Sequence, residues 1–316
     1  MRNILGQIFW GESEIREYVS IALNDHIEEQ VLLKIGENWQ DISGSHWILC
    51  LDPVVYGVWL EKMEWPMALG SESEFLIEFR DTAHKPQGKQ PIIVSTIRLE
   101  WLGKIDESAG SLHLLKLKNC TIGQFSDLKS LMMYRIFYKK PGFSYEKFKS
   151  YVSAFSYPRK VRIISCGREQ GYNIFPMDFV GEIRGGQYFV FGLRHSNRSL
   201  PAILESGEMA VSEIPSSKKH VVNRLGKHHS EPLPAPDCLG FRTVGTSRFG
   251  FLVPEWAEIY REVKITKTKN LGSHMMLWGE MISRRQLHAP TDHLFHIHFL
   301  HYLHQIERGL ALREIR

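Results

Sequence analysis

The sequence predicts a mainly β protein, strands with peripheral helices, organised as two domains. Short runs of β-branched and aromatic residues, bounded by Gly, Pro, Asn or Asp, recur in both halves. The 316 residues exceed the roughly 250 at which a single core usually divides. Apolar residues make up 43% and charged residues 23%, with 17 Phe, 11 Tyr and 8 Trp, enough to bury sizeable cores and to exclude a disordered chain.

In chain order, residues 12–35 carry a helix-like pattern, with Ile15, Val19, Ile21, Ala22, Ile27, Val31 and Leu32 set among acids. Strand-like runs follow at 47–51, 54–60, 74–79, 92–97 and 112–117, which makes residues 1–145 an N-terminal, mostly β domain of unassigned role. Residues 124–153 read as helical, broken by Pro141-Gly142, and this break predicts the hinge to a second domain at 146–316. There the pattern returns to β at 161–165, turns at Gly167–Gly171, and resumes at 187–193. A helix is expected to open at Ser199-Leu200-Pro201, a serine cap with proline in the first turn, and to stop at Gly207. A short helix over 217–225 precedes an extended loop at Pro232–Pro236, and strands at 259–268 and 274–282 are joined at Asn270-Leu271-Gly272. No 20–50-residue repeat is convincing, although two β-rich halves leave a distant duplication open.

Several function classes find no support. Neither GxGxxG nor GxxxxGK[ST] occurs, and Gly245–Gly250 misses the nucleophile-elbow spacing by one residue. Lys and Arg exceed Asp and Glu by only four (39 against 35), spread along the chain, which argues against a nucleic-acid partner but suits a small anionic ligand. With no secretory pattern at the start and no apolar span of about 20 residues, a soluble, cytoplasmic protein without a membrane partner is expected. The four cysteines, at 50, 120, 166 and 238, are too scattered for a CxxC motif and predict buried, reduced thiols. His293–His304 is histidine-rich. As a strand it would point His296 and His298 to one face, and as a helix it would gather His293, His296, His301 and His304; half-exposed strand residues beside aromatic neighbours are the expectation, with no metal.

Six segments between about residues 155 and 305, namely Ser156–Ser165, Gly171–Val180, Tyr188–Leu193, Arg194–Ser199, Ile203–Ser212 and Ile265–Met281, together resemble the flavin reductase-like family of FMN-binding split barrels. Ser156–Ser165, with Pro158 before a strand, is similar to that family's opening, and Gly171–Val180 sits where it has an Asn-Gly-x-Thr-x-Ser segment. Tyr188–Leu193 resembles the strand before the phosphate loop, Arg194-His195-Ser196-Asn197-Arg198-Ser199 the loop itself, and Ile203–Ser212 the stretch reading "ESGEFVVN". Ile265–Met281 is similar to the hairpin ending "GDHTLFIGEV". Each piece alone is short; their order and spacing carry the resemblance.

The resemblance implies an FMN-binding flavoprotein, an NAD(P)H-dependent flavin reductase-type oxidoreductase working as a homodimer, with NADH or NADPH as reductant. It implies that Arg194, His195, Ser196, Arg198 and Ser199 hold the phosphate. Asn173, Ile174, Phe175, Pro176, Met177 and Asp178 would frame the ring, and His274 would face the reductant as the catalytic histidine. Independently, a flavin phosphate calls for positive charge and hydrogen-bond donors, which Arg194, Ser196, Arg198 and Ser199 supply beside an expected helix start. Phe175, Pro176, Met177 and Asp178 stand where the family has Thr and Ser, so hydroxyl contacts are replaced and a carboxylate is added beside the phosphate. The alternatives are a non-enzymatic flavin-holding electron carrier or sensor, and an interaction module with a degenerate flavin site.

Overall fold

A computed structural model describes residues 17–24, 27, 29–62, 74–82, 91–167, 172–233, 235 and 239–309. The first correction falls at its start. Where a helix was expected over 12–35, residues 18–23 form strand β1 (Tyr18–Leu23) and residues 30–35 form β2 (Gln30–Ile35), while 12–16 lie outside the described residues. Val31, Leu33 and Ile35 are buried at a spacing of two, the signature of a strand with one face inward.

β3 (Asn38–Asp41), β4 (His46–Leu51), β5 (Val54–Glu61), β6 (Phe75–Asp81), β7 (Ile92–Asp106) and β8 (Gly110–Ile122) join β2 in a seven-stranded sheet in the order β3-β2-β6-β7-β8-β5-β4. Every pairing in it is antiparallel. The outermost strands, β3 and β4, follow one another in the chain with only residues 42–45 between them, so the sheet curls until its edges meet. The expected strands of this half are all present.

Helix α1 (Asp127–Met133), a π-helical turn (Tyr134–Tyr138) and α2 (Tyr145–Ala154) follow. Ser126 and Ser144 cap the two α-helices by accepting from Lys129 N and Lys147 N, and Pro141-Gly142 separates them as the sequence predicts.

In the second half β9 (Arg159–Lys160), β10 (Arg162–Cys166), β11 (Asn173–Met177), β12 (Val180–Ile183) and β13 (Tyr188–Arg194) lead to α3 (Leu200–Ser206). Pro201 lies in the first turn of α3, and Gly207 closes it in the left-handed conformation at φ 64°. Then come β14 (Glu208–Glu213), α4 (Lys219–Leu225), a small hairpin of β15 (Thr243–Gly245) and β16 (Leu252–Pro254), and the long pair β17 (Ile259–Asn270) and β18 (His274–Gln286). The second seven-stranded sheet runs β11-β10-β14-β17-β18-β13-β12, with its edges joined by Asp178 and Phe179 alone. Two residues reach about 10 Å, so this sheet also closes on itself. The turn expected at Gly167–Gly171 and the loop at Pro232–Pro236 lie partly outside the described residues.

The histidine-rich segment is strand first and helix after: β19 (His293–His298) pairs with β1 and β9, and α5 (Phe299–Glu307) follows directly. His298 makes the switch, its Nδ1 accepting from Leu300 N as the helix cap. The half-exposed histidines expected here are corrected. His293, His298, His301 and His304 are buried, and among the described residues no group of three His, Cys, Asp or Glu is placed to hold a metal.

The core crosses both sheets. One apolar cluster joins Tyr56, Ile77 and Leu115 of the first to Phe175, Phe189 and Leu277 of the second, and another joins Leu49, Trp59 and Leu112 to Val190, Met276 and Trp278. Each such side chain contributes about 1.5–3 kcal/mol by leaving water. Among the described residues no helix is long and apolar enough to cross a membrane, and Cys50, Cys120 and Cys166 are buried free thiols.

Candidate functional site

The loop Arg194–Ser199 takes its shape from groups far away in sequence. Asn197 Oδ1 accepts from Ser199 N at 2.8 Å, and Asn197 Nδ2 donates to His229 Nδ1 at 2.7 Å. Arg198 N donates to the His229 carbonyl at 3.0 Å, and His195 N to the Ser273 carbonyl at 3.2 Å. The side chains of Arg194, His195, Ser196 and Arg198 are left exposed, while Asn197 and Ser199 are buried. A pinned backbone therefore presents two guanidinium groups and a hydroxyl to solvent.

β11 is tied to this loop at its first residue. Asn173 Nδ2 donates to Ser199 Oγ at 2.6 Å and to the His228 carbonyl at 2.9 Å, and its Oδ1 accepts from Ile174 N. The predicted ring segment and phosphate loop thus meet. Ser199, however, has its hydroxyl turned to Asn173 inside the protein. Ile174 and Phe175 are fully buried, Met177 nearly so, and Pro176 is partly exposed. The Phe175 ring lies 5.0 Å from that of His229, whose pKa is lowered by burial and by Arg194.

Asp178 bridges the sheet edges. Its Oδ2 accepts from Arg159 Nε and Nη2 at 3.1 and 3.0 Å and stands 3.2 Å from His296 Nδ1. Burial alone would favour the protonated acid, but Arg159 and His296 outweigh it and hold the carboxyl well below its usual range. The charge that the sequence sets beside the phosphate loop is thus neutralised by its own partners.

His274 opens β18 directly across from Arg194. It is 2% exposed, stacks on Phe179 with ring centroids 5.6 Å apart, and holds Nδ1 2.8 Å from Ser273 Oγ. Burial, reinforced by Arg194 and His195 and opposed by Asp178, lowers its pKa to about 4. It is a neutral imidazole at any ordinary pH. The structure therefore gathers Arg194, His195, Asp178 and His274 at one end of the second barrel, with Asn173 and Ser199 beneath them.

Sequence reasoning missed Asn197, Phe179, His228 and His229. The Asn-x-Ser spacing at 197–199 is the pattern of a side chain that closes its own turn, and that signal was readable. Nothing local marks His228 and His229 as the loop's support. A cavity of about 270 Å³ opens between the two sheets, with His46, Trp47 and Tyr56 on one side and Arg159, Asp178 and Glu182 on the other. It reaches the predicted residues only at Asp178.

These features define a mainly β chain with a cationic, hydrogen-bonded loop at the end of a closed sheet. Among solved structures it is similar to BorF, the flavin reductase component of a bacterial two-component tryptophan halogenase, at 16% identity and a TM-score of 0.40, covering 45% of this chain and 87% of that one. It is also similar to an FMN-binding protein from Thermus thermophilus (16% identity, TM-score 0.38, 44% of this chain and 82% of that one). The Streptomyces globisporus C-1027 NADH:FAD oxidoreductase SgcE6 is similar at 14% identity and a TM-score of 0.43, over 48% of this chain and 88% of that one. No family model matches the sequence, and no curated protein does.

Proposed function

We propose that this chain binds FMN at the end of its second barrel and acts as an NAD(P)H-dependent flavin reductase-type oxidoreductase. The observation that carries the reading is the loop at 194–199. Its backbone is fixed by Asn173, Asn197 and His229, so Arg194, Ser196 and Arg198 stand ready for a phosphate without further ordering. FMN held there would supply the redox chemistry, hydride transfer from a nicotinamide. The chain's part is position: Arg194 and Arg198 hold the phosphate, Asn173 to Asp178 wall the ring, and His274 with Phe179 keeps water from that end of the barrel.

A second reading, a flavin-holding electron carrier or sensor, is favoured by one observation. His274 is buried against Phe179 rather than open to an incoming nucleotide. Rapid reduction of the loaded protein by NADH or NADPH supports the reductase; no reduction over minutes, beside fast exchange with a protein partner, supports the carrier.

The flavin site itself is tested at Arg198. Arg198→Ala is expected to weaken FMN by about 1.5–3 kcal/mol, the usual worth of a hydrogen bond to a charged group. Riboflavin, which lacks the phosphate, should be nearly indifferent to the change. Titrations in which both ligands lose equally would remove Arg198 from the phosphate site, and a wild type that takes up neither would remove the flavin.

A further inference from the structure

The two seven-stranded sheets are the same sheet twice. Numbered by rank within its own half, the first runs second, first, fifth, sixth, seventh, fourth, third strand, and the second repeats that order strand for strand, with β15 and β16 as an insertion. Both close between their second and third strands.

The ladders agree in register as well as in order. In the first half Trp59 of β5 donates to the Ser45 carbonyl on one side and pairs with Leu112 of β8 on the other. In the second, Gly192 of β13 donates to the Phe179 carbonyl on one side and pairs with Met276 of β18 on the other. Two residues on from each, Glu61 pairs with Gly110 and Arg194 pairs with His274, and the hairpins beyond them end alike, Asp106 opposite Ser111 and Asn270 opposite Met275. The positions that carry the cation and the histidine of the candidate site are thus filled in the first half by a carboxylate and a glycine. Trp59, two residues before the first of these, stacks on Trp278 and Tyr188 of the second half, at 6.0 and 6.3 Å.

The first half also reaches the second half's site. Asp52 accepts from Ser273 N at 2.8 Å and donates its own N–H to Ser273 Oγ at 3.0 Å, and Cys50 Sγ donates to the Leu271 carbonyl. The turn that presents His274 is therefore fastened from the other barrel.

We propose that residues 18–122 are a built-in second subunit: a copy of the same barrel, without a ligand site of its own, that completes the candidate site of residues 159–286 within one chain. The homodimer implied by the family resemblance is replaced by two halves of a monomer. This rests on the flavin reading only for the identity of the ligand.

Light scattering of the full-length protein, with FMN titration followed at decreasing protein concentration, tests it. The expected result is a particle of one chain that takes up one FMN. A two-chain particle that keeps its FMN capacity after dilution to single chains also supports the proposal. Two FMN per chain overturns it, because the first half would then hold a ligand, and so does a capacity that vanishes as a two-chain particle dissociates. A single-chain particle that takes up no FMN leaves the built-in subunit standing and sinks the flavin reading instead.

Discussion

His274 shows how burial sets the chemistry of one side chain. Its pKa of about 4 leaves it uncharged above pH 5, so it can accept or donate a hydrogen bond but cannot lend positive charge to a reaction at neutral pH. A positioning role should appear in turnover and not in flavin affinity. His274→Ala is expected to leave the FMN dissociation constant within about threefold, under 1 kcal/mol. Anaerobic reduction by NADH or NADPH should slow by about tenfold or more, some 1.4 kcal/mol of barrier. An FMN titration reads the first and stopped-flow bleaching of the flavin band the second, and equal rates for the two proteins would end the role of His274. The residue types of this site were legible, since arginines, serines and a histidine stand at family-like spacing. Their state was not: His274 is neutral because it is buried, with the Phe179 ring against it, and the Asp178 carboxylate is ionised and paired with Arg159 and His296, the last of them 118 residues away along the chain.

At the scale of elements, strands whose partners are close in sequence were readable, because their alternation and turn residues are local. β1 was not. Val19 and Ile21 alternate as a strand does, but Ala22, Ile27, Val31 and Leu32 complete a helical spacing, and its partner β19 begins at His293. Gly192 likewise gives no sign in the sequence of what it permits. The β4 backbone crosses β13 there so closely that a β-carbon would overlap the Leu49 carbonyl. Gly192→Ala should cost about 3 kcal/mol, the upper end for overpacking, because main chain must move rather than a side chain. Gly44, with open space around its Cα, is the control, and Gly44→Ala should change stability little. Urea denaturation of the two variants checks the contrast, and equal midpoints would mean the crossing is loose.

Over the whole molecule, the buried histidines set the response to acid. Burial lowers His46, His113, His274 and His304 to about 4 and His298 to about 3, from an ordinary 6.5. Because the unfolded chain binds these protons first, their contribution to stability is complete above pH 6.5 and is lost as pH falls toward 4. His46 and His298 should each withdraw about 1.4 kcal/mol per pH unit across that window. The midpoint of thermal unfolding is expected to drop steeply between pH 6.5 and 5; a flat profile would show the rings to be reachable by protons in the native fold.

The ladder between β1 and β19 ties Tyr18 to His298 and Leu23 to His293, near the two ends of the described chain. During synthesis β1 emerges well before β19 and lacks this partner while both barrels between them are being made. Throughout that interval Val19 and Ile21 stand on an unpaired edge, the kind of surface on which nascent chains join one another. Closing so long a loop is also the slowest sort of pairing. A late event of folding should therefore be the capture of β1 by β19, and a chaperone that shields an unpaired β edge is expected to act on β1 in that interval.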